Sequence, residues 1–114
     1  MAVIYHITSR AEWKTALPTG WFAADSLSTE GFIHCSTAGQ VLATANRLFK
    51  GRTDLVLLCI ETDSVQAEIR YENLEGGASL FPHVYGPLPA GSIRAVHAFP
   101  PEADGRFELP DQMR

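Results

Sequence analysis

The sequence has few of the features that mark secreted or membrane proteins. It contains only two cysteines, Cys35 and Cys59, and no CxxC pair. Because each lies in an apolar run, we expect both to be buried and reduced, as in a reducing compartment. The longest apolar run, residues 55–60, is far shorter than the roughly 20 residues that span a bilayer. The N-terminus shows no signal-peptide pattern, so we predict a cytoplasmic protein that does not enter membranes.

Positive charge is also scarce. Nine Lys and Arg residues stand against 13 Asp and Glu, which gives a formal net charge of -4, and the basic residues are scattered. Duplex nucleic acid requires a concentrated positive surface, so it is not an expected partner. There is no glycine-rich phosphate loop either, since Gly76 and Gly77 are not followed by the start of a helix.

The length and apolar content are those of one small domain. The chain has 114 residues, of which 46% are hydrophobic, and a chain of this size can bury roughly two thirds of the surface of its unfolded form. We predict a single domain over 1–114. Its ordered core is expected at about 2–99, and the polar, proline-rich tail, 100–114, is expected to be weakly ordered.

Periodicity and capping signals predict five strands and two main helices. Ser9–Glu12 and Thr37–Gln40 match the capping box, while Pro18 and Gly51 end the helices that follow. The predicted strands cover 2–8, 32–35, 54–62, 67–72 and 92–99, and the predicted helices cover 9–17 and 41–50. Residues 19–31 are predicted to form a partly helical loop over the site. Because βαβ alternation is missing, we predict an α+β fold with a small mixed or split β-sheet half-barrel.

Three of the four histidines lie in or beside apolar β segments. His6 and Thr8 are two residues apart, as are His34 and Ser36, so each pair would face one side of its strand. Two such strands could line one cleft, with His83 contributing from elsewhere. The alternative is that each histidine is a satisfied residue of the core or its rim, and that the two hydroxyls act near helix starts.

The segment Phe81–Pro89 is unusual because prolines occupy positions 82, 87 and 89. Proline fixes φ and lacks an amide donor, so we predict a rigid segment outside the β ladders. If it is extended, His83 and Tyr85 project on the same side. The alternative is a proline-rich connection whose aromatic side chains cap the core.

Two other chemistries are compatible with these residues. Cys35 could act as a nucleophile with His6 or His83 as its base. His6, His34 and His83 could instead hold a metal ion, because three histidines and water form a catalytic zinc geometry. The acidic side chains Glu72 and Glu75 are typical of a solvated turn.

Three motifs resemble those of the bacterial and plant family known as domain of unknown function 952. They are Ile4-Tyr5-His6-Ile7-Thr8, Gly31-Phe32-Ile33-His34-Cys35-Ser36 and Phe81-Pro82-His83-Val84-Tyr85-Gly86-Pro87-Leu88. The resemblance extends to about Phe99. It implies an ADP-ribosyltransferase-like fold, in which a split half-barrel surrounds a cleft.

A more distant similarity is to the catalytic domain of NAD-dependent RNA 2′-phosphotransferases. Tyr5-His6-Ile7-Thr8 stands in place of their His-Gly-Thr motif, with Ile7 where they have glycine, and Ile33-His34-Cys35-Ser36 resembles their second strand. The resemblance implies NAD as the cofactor, with His6 at its ribose and His34 at the nicotinamide side or the acceptor phosphate. The glutamate of protein-modifying ADP-ribosyltransferases has only Glu72 or Glu75 as a candidate counterpart.

The leading hypothesis is an enzyme that transfers or hydrolyses an ADP-ribosyl-type group of NAD or a related nucleotide. The candidate catalytic residues are His34 and His83. The candidate cofactor-binding residues are His6, Thr8, Ser36, Trp21 and Tyr85, of which Trp21 or Tyr85 would stack on a base or nicotinamide ring. Two alternatives remain: a non-catalytic domain that binds a small molecule or a partner, and a histidine-ligated metal hydrolase.

Overall fold

Strands and short helices alternate irregularly along the chain. The computed structural model describes residues 2–74 and 76–113. Its strands are β1 (Val3–Ser9), β2 (Trp21–Phe22), β3 (Ile33–His34), β4 (Leu55–Glu61), β5 (Ile69–Glu72), β6 (Phe81–Val84), β7 (Leu88–Pro89) and β8 (Ile93–Ala98). Its α-helices are α1 (Arg10–Ala16), α2 (Asp25–Glu30) and α3 (Val41–Leu48). The α+β class is confirmed, but the helices number three rather than two, because the predicted loop at 19–31 contains α2.

The strands form three separate sheets, each antiparallel throughout, and none of them closes. The largest has the order β1-β4-β8, the second pairs β2 with β7, and the third has the order β3-β6-β5. β4 is central because its residues are apolar without interruption, and every residue from Leu55 to Ile60 is buried. The predicted split sheet is present, and its pairing is antiparallel rather than mixed.

The prediction that Phe81–Pro89 lies outside the β ladders is wrong. Its first part is β6, the middle strand of the third sheet, and its later part contributes β7. A proline removes a donor but keeps its carbonyl acceptor. Pro82 lies just beyond the end of β3, where its carbonyl oxygen accepts a hydrogen bond from the Cys35 amide at 3.0 Å. The strand therefore tolerates the proline.

Side-chain hydrogen bonds lie at or just before the starts of α1 and α3. The Ser9 hydroxyl accepts from the Glu12 amide at 3.1 Å and so caps α1, as half of the predicted capping box. Before α3, the Gln40 side-chain oxygen accepts from the Thr37 amide at 3.0 Å. The Gln40 side-chain nitrogen also donates to the Leu80 carbonyl at 2.7 Å, which ties α3 to the residue before β6.

Two apolar clusters form the core. One contains Ile4, Val56, Leu58 and Ile60, and the other contains Ile7, Leu55, Leu57, Phe99 and Phe107. Alternate residues of β1 and β4 thus face opposite sides of their sheet. In the part of the chain that the structure describes, no helix is long and apolar enough to cross a membrane.

The C-terminal residues belong to this core, which extends beyond the predicted limit at residue 99. Phe107 is fully buried, and its ring lies 4.9 Å from that of Phe99. The side chain of Asn46 in α3 holds the backbone of Phe107 from both sides, accepting from its amide at 2.7 Å and donating to its carbonyl at 3.3 Å. The prediction of a weakly ordered tail followed from the polar composition of residues 100–114, and it did not take into account the burial of one aromatic residue, Phe107.

Candidate functional site

A cavity of about 390 Å³ lies where β1, β3, α3 and β6 meet. The three histidines of the sequence motifs, His6, His34 and His83, all line it. The other lining residues are Tyr5, Ile7, Glu30, Cys35, Ser36, Thr44, Arg47, Leu48, Phe49 and Phe81. The volume falls within the range of small-molecule sites in proteins.

His6 on β1 is a buried, neutral histidine with a defined tautomer. Its Nδ1 lies 2.6 Å from the carbonyl oxygen of His34. Because a carbonyl only accepts, Nδ1 must carry the proton and donate, which leaves Nε2 as an acceptor. Burial lowers the pKa of His6 to about 4 and outweighs the opposing effect of the bond to the carbonyl. The ring therefore stays neutral at physiological pH.

His34 on β3 is the exposed member of the three. Its Nε2 lies 3.1 Å from Oε2 of Glu30, the last residue of α2. Gly31 between them has a φ of +89°, which turns the chain sharply from the helix toward the strand. Both side chains are about half exposed, so this pair orients the imidazole more than it stabilises the fold.

His83 on β6 is buried and held by a carboxylate. Its Nδ1 lies 3.0 Å from Oε1 of Glu72, and the Tyr85 hydroxyl donates to the same oxygen at 2.5 Å. These hydrogen bonds, the Tyr85 bond most of all, lower the pKa of Glu72. The Phe32 ring stacks on His83 with a centroid distance of 4.2 Å. His83 is thereby fixed on two sides, at one nitrogen and on one face.

Two residues of this arrangement, Phe32 and Glu30, were not predicted from the sequence. Phe32 packs against His34, His83 and Tyr85, whereas the sequence motif was interpreted through His34 and Ser36. Its position two residues before His34 places it on the same face of the strand, and that signal was available. Glu30 meets His34 only through the turn after α2. Glu72, predicted to be either a solvated turn residue or the counterpart of the ADP-ribosyltransferase glutamate, meets His83 only through the pairing of β5 with β6.

Of the other predicted cofactor-binding residues, one lines the cavity and three lie elsewhere. Ser36 lines the cavity, and its hydroxyl is 3.4 Å from that of Thr44. Among the described residues, the lining does not include Thr8, Trp21 or Tyr85. Thr8 is buried on β1, Trp21 is half exposed on β2, and Tyr85 contacts Glu72 instead. Glu30 is the residue of the predicted 19–31 loop that reaches the cavity.

The cysteine and metal alternatives gain no support from this geometry. Cys35 lines the cavity, but burial raises the pKa of its thiol far above the usual range, so it stays protonated and weakly nucleophilic. Both Cys35 and Cys59 are buried free thiols. Within 2–74 and 76–113, no group of three or more His, Cys, Asp or Glu side chains is placed to hold a metal ion. Glu75 lies outside the described residues.

Gly86 is required by a close approach beside the site. A Cβ at this position would lie 2.7 Å from Cβ of Ala67, a distance at which one of the two segments must move. We expect Gly86→Ala to destabilise the fold by about 1–3 kcal/mol, the usual cost of overpacking. Denaturant unfolding measures this, and Ala67→Gly in the same chain should restore part of the loss. Gly39→Ala is the control, since its Cβ would meet nothing within 4 Å. Equal stability of the two alanine variants would contradict the close approach of Gly86 to Ala67.

Comparison with known proteins gives both a family and a fold. The family model described as "Protein of unknown function (DUF952)" matches residues 7–96. The crystal structure of protein CC0527 from Caulobacter crescentus is 36% identical to this chain, with a TM-score of 0.86 and 97% of each chain covered. The solution NMR structure of CC0527 is also 36% identical and has a TM-score of 0.79, over 98% of this chain and 97% of that one. No curated protein matches. The family model covers most of the chain, including His34 and His83, and the chain therefore belongs to the DUF952 family.

Proposed function

We propose that the cavity binds a nicotinamide nucleotide such as NAD and that the protein transfers or hydrolyses its ADP-ribosyl group in the cytoplasm. The observation that carries this proposal is the convergence of His6, His34 and His83 on one cavity, each with a ring nitrogen already assigned to a protein partner. Preset imidazoles of this kind suit hydroxyl-bearing ligands and proton transfer.

His6 supports the ribose part of the proposal. Its Nδ1 is committed to the His34 carbonyl, so Nε2 is the acceptor that a ligand hydroxyl would find. The low pKa of His6, about 4, keeps this acceptor unprotonated. A ribose offers two adjacent hydroxyl donors, and the resemblance to RNA 2′-phosphotransferases assigns His6 to the same sugar.

The other residues that line the cavity match the apolar, polar and charged parts of a nucleotide. Phe49, Phe81 and Leu48 offer apolar surface for a planar ring, while Ser36 and Thr44 offer hydroxyls. Arg47 brings a permanent positive charge to the lining, as a pyrophosphate requires. The unclosed sheets beside the cavity are compatible with the ADP-ribosyltransferase-like fold that forms part of this proposal.

Ligand-dependent thermal stability tests the binding step. NAD and ADP-ribose are expected to raise the melting temperature by an amount that grows with concentration, since a ligand that binds only the folded state stabilises it by mass action. In His6→Asn the amide nitrogen can still donate to the His34 carbonyl, but the Nε2 acceptor is gone. We expect this variant to lose most of the shift.

His97→Ala is the matched control, because it removes a histidine of β8 that is not among the described lining residues. It should retain the shift. No shift with NAD or ADP-ribose at millimolar concentration would refute the cofactor, and an unchanged shift in His6→Asn would refute the site. Release of nicotinamide from NAD, followed by chromatography, separates an enzyme from the alternative of a non-catalytic binding domain.

A further inference from the structure

We infer that His83 is the general base of this site and that Glu72 is a positioning residue that sets its tautomer. The inference rests on the proposed function for the identity of the reaction. Glu72, His83 and Tyr85 form one hydrogen-bonded group, the Glu72 relay.

The division of roles follows from which side chains reach the cavity. His83 lines the cavity, whereas Glu72 is not among the described lining residues. Glu72 meets His83 at Nδ1, with 3.0 Å between that nitrogen and Oε1. An ionised carboxylate only accepts, so Nδ1 donates, and in the neutral form of the ring Nε2 keeps its lone pair. A glutamate in this place acts on a ligand through the histidine and not by direct contact.

Strand pairing builds the relay. Glu72 pairs with Phe81 and Arg70 with His83, and residues that pair directly share one face of an antiparallel sheet. Phe81 and His83 both line the cavity. The face of the sheet that holds the relay is therefore the face that borders the cavity. Glu72 reaches His83 diagonally across the two strands.

Several contacts restrict the movement of the relay. The Tyr85 hydroxyl donates to the Glu72 oxygen that also meets His83, so two donors hold one carboxylate oxygen. The guanidinium of Arg70 lies over the Tyr85 ring, 4.5 Å from its centroid. Phe32 covers one face of the His83 ring. The relay is thus held in one arrangement by the protein's own contacts, which is the preorganisation that efficient proton transfer requires.

With NAD as the substrate, His83 acts as the base in the cleavage of the bond between ribose and nicotinamide. His83 Nε2 takes the proton of a water or acceptor hydroxyl as that oxygen forms its bond to the anomeric carbon of the nicotinamide ribose. The bond from this carbon to the nicotinamide nitrogen breaks, and its electron pair leaves with neutral nicotinamide. The carboxylate of Glu72 stabilises the imidazolium formed on His83, which then releases its proton to solvent. With water the products are ADP-ribose, nicotinamide and a proton.

The tautomer of His83 in the ligand-free protein is the direct test. Long-range ¹H–¹⁵N correlation spectra at alkaline pH distinguish a ring protonated at Nδ1 from one protonated at Nε2. We expect His83 to carry its proton on Nδ1, and Glu72→Ala to move the proton to Nε2, the form that a free imidazole side chain prefers in water. Glu68→Ala is the matched control, because Glu68 lies on the same stretch of chain and pairs with Arg70 instead. It should leave the tautomer unchanged.

Activity provides the second readout. If the protein releases nicotinamide from NAD, Glu72→Ala should lower kcat by about 10²-fold or more with little change in KM, in the range expected for losing a positioned base. A His83 ring protonated at Nε2 in the unmodified protein overturns the inference, even if Glu72→Ala does not fold. An unchanged tautomer or an unchanged kcat in Glu72→Ala overturns the role of Glu72. Since the spectra require no ligand, failure of NAD to bind refutes the proposed function and not the relay geometry.

Discussion

Replacement of Phe107 by alanine is expected to lower the free energy of unfolding by about 3–5 kcal/mol, the range for truncating a fully buried phenylalanine. Phe107 is 1% exposed and belongs to the second core cluster with Phe99 and Leu57. Its backbone amide and carbonyl are both hydrogen-bonded to Asn46, so the chain has little freedom to collapse into the space left behind. This limited relaxation favours the upper part of the range.

Denaturant unfolding with a linear extrapolation measures the loss. Glu108→Ala is the matched control, since it truncates the adjacent exposed side chain and should change stability by no more than about 0.5 kcal/mol. A loss below about 1 kcal/mol for Phe107→Ala would show that the C-terminal residues do not pack on the core in solution.

The packing of Phe107 also concerns the candidate site. Asn46 lies in α3 between Thr44 and Arg47, both of which line the cavity. A C-terminal segment that holds Asn46 therefore holds the helix that forms one wall. Phe107→Ala should weaken ligand binding as well as stability, although Phe107 does not contact the cavity.

The sequence is most informative where one local signal decides the structure. The uninterrupted apolar run in β4 predicts a central strand, and the box at Ser9–Glu12 predicts the start of α1. The spacing of His6 and Thr8 predicts a shared strand face, but it does not say how far each side chain extends into a cleft. The structure therefore brings His6 to the cavity while Thr8 is not among the described residues that line it.

The sequence is least informative where the structure depends on contacts between residues that are far apart along the chain. The prolines of Phe81–Pro89 argue against a ladder, but β6 lies between β3 and β5, where Pro82 pairs with Tyr71 and its carbonyl accepts from the Cys35 amide. Glu72 has no local feature that distinguishes it from a solvated carboxylate, since its partners are 11 and 13 residues away along the chain. Phe107 is a single aromatic residue among polar ones, and its burial depends on α3 and Phe99.

Acidification from pH 6.5 to 4 is expected to lower the free energy of unfolding by about 3 kcal/mol through His6 alone. Burial lowers the pKa of this histidine from 6.5 to about 4 in the folded protein. Between these values the unfolded chain binds a proton at His6 and the folded chain does not, so protonation favours unfolding as the pH falls. The magnitude follows from about 1.4 kcal/mol for each pH interval of one across this window. The ring is neutral in both states only well above pH 6.5, about one pH unit higher, and from there it contributes no pH dependence.

His6→Asn isolates this contribution, because asparagine can keep the donor to the His34 carbonyl but does not titrate. The stability of the two proteins should be measured by denaturant unfolding at a series of pH values through the window. All other titrating groups are common to both, so the stability of the unmodified protein minus that of His6→Asn should fall by about 3 kcal/mol from pH 6.5 to 4. Parallel curves would contradict a buried, neutral His6. Parallel curves would also mean that the His6 ring protonates in the folded state. Nε2 would then be a donor at acidic pH and not a hydrogen-bond acceptor for a ligand.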